Sequence, residues 1–197
     1  MRWAGVAAIA VIWGGVGASV LRARFPLTGA LPLSRLAEDG RSSALFGPTL
    51  VVAALLFLAF GADVAHRYRV RLDFAVLFVA GMVGQLVAGV VPIGPAGTSD
   101  PVHVSAALVL GAAIPVFLWR FAASQSGGPW RRTCWRLFGL QLAATAVGVG
   151  LSQRHVAPLA EVVPAAFFHL WVLVLTVHDP GVGVVAELDP THARSVL

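Results

Sequence analysis

Asp100 and His103 stand three positions apart where one long apolar run ends and another begins. Their chemistry is that of acid–base pairs: a carboxylate can orient an imidazole, and an imidazole exchanges a proton near neutral pH. His155, Glu161 and His169 repeat these side-chain types later in the chain, with the guanidinium of Arg154 beside them. Gln85 and Gln141 lie inside apolar runs, where an amide must find a partner. In an enzyme, His103 or His169 would be the general base or acid and Asp100 or Glu161 would orient it. Arg154 would hold an anionic headgroup, because its planar fork takes two oxygens of a phosphate or carboxylate at once. In a binding protein, Arg154, His103, His169, Gln85 and Gln141 would line the ligand site.

Each residue also has a purely structural role open to it. Asp100-Pro101 is a good helix start, with Asp as N-cap and Pro in the first turn. His169, Gln85 and Gln141 would then bond neighbouring helices, and Arg154 would anchor the membrane interface. His66 and His178 fall at the ends of apolar runs, where solvation at the interface is the default. No H-E-x-x-H, Walker, G-x-S-x-G or Cys-x-x-Cys motif occurs. Cys134 is the single cysteine, which excludes an internal disulfide and a Cys-rich metal site. No metal and no cofactor is expected.

The elements that must position these groups follow from composition. Of 197 residues, 58% are hydrophobic and 12% charged, against about 25% charged in soluble domains. With a mean hydropathy of +0.83, the medium for most of the chain is lipid. Six apolar runs are long enough to cross a core of about 30 Å. They are Trp3 to Leu21, Ala44 to Val64, Leu72 to Pro92, Val102 to Ala122, Thr133 to Leu151 and Glu161 to Val177. The expected fold is all-α: a polytopic bundle of six transmembrane helices in one domain over residues 1–178. Residues 179–197 would form a cytoplasmic tail with little fixed structure.

All 14 basic residues are Arg. Nine flank the side of the two termini (Arg2, Arg67, Arg69, Arg71, Arg120, Arg131, Arg132, Arg136, Arg194) and five the other. The positive-inside rule therefore puts both ends in the cytoplasm. The pI near 11.2 serves topology and lipid headgroups here, not nucleic acid. The ionisable groups then gather toward the outer half of the bundle. Between the first two spans, residues 34 to 40 read as a short interfacial helix with Ser34 as cap and Gly40 as stop. Small residues at Ala80, Gly84 and Ala88, and at Ala144 and Gly148, mark close helix approaches. Pro164 is placed in a first turn, and Pro115 should kink the fourth span, because it removes a bond to the Gly111 carbonyl.

Ser34, Asp39-Gly40 and Leu45-Phe46 lead into the second span. Gly89, Pro92, His103 and Ala106-Ala107 surround the third connection, and Gly150-Leu151, Gln153 and Arg154 leave the fifth span. On these pieces, over about residues 5 to 178, the chain resembles a bacterial family of uncharacterised membrane proteins, the domain-of-unknown-function family numbered 998. That family is distantly similar to the DRAM-like and Frag-like membrane proteins. The resemblance implies a six-helix bundle with a polar outer face around His103 and Arg154, and it brings no reaction, cofactor or substrate. Three functions stay open. The first is a multi-pass protein of the cytoplasmic membrane whose outer pocket holds a lipid or amphiphile, or which serves as an accessory or sensory subunit. The second is a lipid- or isoprenoid-processing enzyme, and the third a small transporter. Partners would be membrane lipids, a partner membrane protein or further copies of the chain.

Overall fold

A computed structural model describes residues 1–94 and 100–179, so the tail beyond Asp179 lies outside the described residues. Six α-helices account for the bundle: α1 (Ala4–Ala23), α2 (Ser43–Tyr68), α3 (Leu72–Val90), α4 (Pro101–Ser124), α5 (Pro129–Gln153) and α6 (Ala157–Val177). All six are long and apolar enough to cross a membrane. Each packs on the next in chain order, and α6 closes the ring on α1. An even number of crossings brings both ends to one face. There the Arg2 guanidinium bonds the Thr176 carbonyl and, at 2.7 Å, that of Val177.

Several helices are longer than the apolar runs that predict them. α5 begins at Pro129 and α6 at Ala157, each four residues before its apolar run. Pro164 consequently lies well inside α6 and not in its first turn, which corrects the expected position. The loop after α1 also differs from expectation. It forms a 3-10 helix over Leu33–Ala37 whose N-cap is Pro32, with no side-chain cap from Ser34. Leu33 and Leu36 are buried against Phe46 of α2. The segment therefore tucks over the end of the bundle.

Small residues set the closest helix approaches. A Cβ on Gly47 would stand 2.6 Å from the Gly89 carbonyl oxygen, which joins α2 to α3. Gly84 meets α4 and Gly148 meets α6 in the same way. In lipid, where no hydrophobic drive separates helix from solvent, such contact is what dispersion and weak backbone contacts act through.

The interior divides into two halves. Toward the termini it is solid aromatic packing: Phe57, Phe60, Phe74, Phe117, Phe121 and Trp171 are each 0–1% exposed and stack tilted or edge-to-face. Toward the 3-10 helix the same ring of helices encloses open space.

At the terminal face His178 departs from the solvated role expected for it. Its ring stacks on Trp130 with centroids 3.4 Å apart, and its Nδ1 lies 2.9 Å from the Tyr68 hydroxyl. Burial holds its pKa below the ordinary imidazole value; Arg67 and Arg2 push the same way and Asp179 opposes them. A histidine with a depressed folded pKa contributes stability that is complete above the unfolded value of about 6.5 and is lost as pH falls through the folded value. Thermal stability should therefore drop between about pH 7 and pH 5, and His178→Phe should flatten that part of the profile. An unchanged pH dependence in the variant would refute the assignment to His178.

Candidate functional site

The open space is a cavity of about 670 Å³, within the range of about 300–1,000 Å³ typical of small-molecule sites. Its wall is mostly apolar and is built from α1, the 3-10 helix, α2, α3, α4, α6 and the last turn of α5. Four predicted site residues share it: Gln85, His103, Glu161 and His169. Three others do not line it: Asp100, Gln141 and Arg154.

Asp100 caps α4. Its Oδ1 accepts the amides of Val102 at 2.8 Å and His103 at 3.3 Å, with Pro101 in the first turn. The cap fixes where α4 begins and hence where the His103 ring stands. That ring is 4% exposed, and its Nδ1 lies 2.7 Å from the Val91 carbonyl oxygen. A carbonyl only accepts, so Nδ1 carries the proton, and in the neutral ring Nε2 is left with a lone pair.

His169 is 4% exposed and sits in an aromatic slot. Phe57 stacks on it at 5.7 Å and 16°, and Trp13 meets it edge-on at 5.7 Å. Its Nδ1 has no hydrogen-bond partner among the described residues, a costly condition for a buried polar atom. Glu161 is exposed to the cavity, and its Oε2 accepts the Leu33 amide at 3.1 Å. This bond ties the 3-10 helix to α6 across the end of the cavity. Nothing in the sequence pairs Leu33 with Glu161, which are 128 residues apart.

The two buried amides bond across helices. Gln85 Nε2 donates to the Leu50 carbonyl at 3.1 Å and Gln141 Nε2 to the Pro164 carbonyl at 3.2 Å. The first leaves its Oε1 on the cavity side; the second fastens α5 to α6 away from the cavity. Arg154 is the exposed C-cap of α5, and no ion pair joins it to Asp100 among the described residues.

Trp13 is a wall residue the sequence analysis did not single out. Its signal is positional: it lies in the middle of a span, whereas Trp3, Trp119, Trp130 and Trp135 sit near the terminal boundary. The mouth of the cavity was equally hidden. In the first half of α4 only His103 and Ala106 are buried, both on the side facing α3. Val104 and Leu108 line the cavity while remaining 37% and 68% exposed. On this side the cavity wall is thus formed by α4 residues that also stay exposed on the bundle.

Residues 4–178 match the model of a family described as Protein of unknown function (DUF998). The chain belongs to this family. The match covers all six helices, so the cavity lies wholly within the family region. No curated protein and no solved structure matches the chain. Membership thus carries a six-helix integral membrane protein and no reaction.

Proposed function

We propose that this protein takes an amphiphile from the bilayer through the gap beside α4 and holds its polar end in the cavity. The observation that carries this reading is the exposed α4 wall, where Val104 and Leu108 line the cavity on a membrane-spanning helix: a cavity entered beside them admits a molecule that already lies in the membrane. The apolar wall suits a chain, and Glu161, His103 and His169 suit a headgroup. A binding role fits better than catalysis because each carboxylate is engaged by backbone amides, Asp100 at the start of α4 and Glu161 at Leu33. Neither orients an imidazole as an acid–base pair requires.

Gly111 supplies the test. It lies on the cavity wall, is exposed, and a side chain built there meets nothing within 4 Å. Gly111→Trp should fold normally and fill the entrance. Wild-type protein purified in mild detergent should carry amphiphile adducts in native mass spectrometry that the variant lacks. Equal adducts in both proteins, or none in either, would end the proposal.

The site also has a side of the membrane. We place both termini in the cytoplasm of a bacterial inner-membrane protein, on the excess of Arg at that face, so the cavity opens to the outer leaflet. Cys134 is buried, which leaves a quiet background for labelling. Gly97→Cys should react with an impermeant thiol reagent in intact cells and Pro190→Cys only after lysis. The reverse pattern would invert the topology.

A further inference from the structure

The charged side chains of the cavity wall are one-sided. Glu161 is the only carboxylate or guanidinium side chain among the described residues of the wall. One of its oxygens accepts the Leu33 amide and the other has no hydrogen bond of its own there. His103 presents the Nε2 lone pair, because Nδ1 spends its proton on Val91. Gln85 presents Oε1, because its NH2 group donates to Leu50. Pro115 has no amide to offer the carbonyl four residues earlier, and that carbonyl belongs to Gly111, also on the wall. Four acceptors therefore border the cavity, and none of the donors beside them carries charge on a fixed cation: they are the Trp13 indole, the Ser34 and Ser152 hydroxyls, the second amide hydrogen of Gln85 and an N–H of His169. His169 adds a buried nitrogen, Nδ1, that no group among the described residues satisfies. Arg154, the natural partner of a phosphate, stands outside.

Granted an amphiphile site, on which this rests, we infer that its ligand has a hydrogen-bond-donating headgroup without negative charge: an ammonium, or a hydroxyl, on an apolar chain. A phosphate or carboxylate would bring further acceptors and negative charge to Glu161, with no cation at hand to offset them. An ammonium brings three donors and a charge complementary to Glu161. Trp13 and Phe168 line the cavity, and an aromatic ring attracts a cation that reaches its face.

Trp13 lets the headgroup be read directly. Purified protein in uncharged detergent is titrated with three probes that share one brominated alkyl chain and end in an amine, an alcohol or a carboxylate. Saturable quenching that disappears in Trp13→Phe reports the cavity and not the micelle. The amine should bind at least tenfold more tightly than the carboxylate, with the alcohol between them. Glu161→Gln keeps an oxygen for the Leu33 amide, so the 3-10 helix stays docked. It should weaken the amine about tenfold and leave the alcohol within about twofold, which separates loss of charge from loss of fold. A carboxylate probe that binds as tightly as the amine, or an amine indifferent to Glu161→Gln, would overturn the headgroup assignment while leaving an amphiphile site in place. Absence of saturable quenching by every probe would overturn the amphiphile site itself.

Discussion

Gly84→Val should cost the protein most of its fold. A Cβ at this position would lie 2.6 Å from the Ala106 carbonyl oxygen and 3.2 Å from the Leu110 amide nitrogen. Both are backbone atoms of α4, so no rotamer change relieves the clash; the helices must part. Overpacking a well-fitted contact costs about 1–3 kcal/mol, and separating α3 from α4 forfeits the close contact on which membrane helices depend. Folded proteins hold only about 5–15 kcal/mol in reserve, so the yield of monodisperse protein should fall severalfold and unfolding should begin at lower denaturant. Gly139→Val is the control, because nothing lies within 4 Å of a side chain there. Should the two variants unfold together, steric fit at Gly84 is not what holds α3 to α4. A partial clash at Gly84 would also report on the site, since this contact sets Gln85 and His103 on a common wall.

The reason Gly84 was visible in the sequence, while the mouth of the cavity was not, is physical. A small-residue stripe at helical spacing has one use in lipid: Gly84, Ala88, Ala144 and Gly148 are buried, and Ala80, at the end of its stripe, is half-buried. The six spans were visible for the same reason: apolar runs of that length have little choice but to cross. Where charge interrupts a run, the reading stops short. Arg131 and Arg132 hid the first turn of α5, and Glu161 hid the first turn of α6. Treating Glu161 as the edge of a span also hid its place on the cavity wall. Each residue turns a helix by about 100°, and loop length does not fix that rotation. Arg154 and Glu161 are joined by a short connection, yet one faces outward and the other faces the cavity. His103 shows that two readings of one residue can hold together. Its backbone amide belongs to the Asp100 cap, and its side chain belongs to the cavity.

Phe117→Ala is the complementary test, because it removes matter where Gly84→Val adds it. Phe117 is 0% exposed and its ring lies 5.0 Å from that of Phe78, 5.8 Å from Trp171, and 5.9 Å from both Phe74 and Phe168. In a soluble core such a truncation costs about 3–5 kcal/mol, part of it transfer from water and part the void left behind. In a membrane the unfolded helices also rest in lipid, so the transfer part largely cancels. What remains is the void and the ring contacts, each aromatic pair contributing about 0.5–1.5 kcal/mol. A loss of about 3 kcal/mol is therefore expected, read as an earlier unfolding transition in mixed detergent. Leu108→Ala, on the open side of α4 at 68% exposure, should stay within about 0.5 kcal/mol of wild type. The difference follows from the division of the bundle. The aromatic half holds α2, α3, α4 and α6 together, which leaves the half under the 3-10 helix free to stay open. If Phe117→Ala and Leu108→Ala prove equally mild, the aromatic half is not what keeps the cavity from collapsing. If only Phe117→Ala destabilises, wall residues such as Leu108 can change with the ligand while the aromatic half preserves the fold.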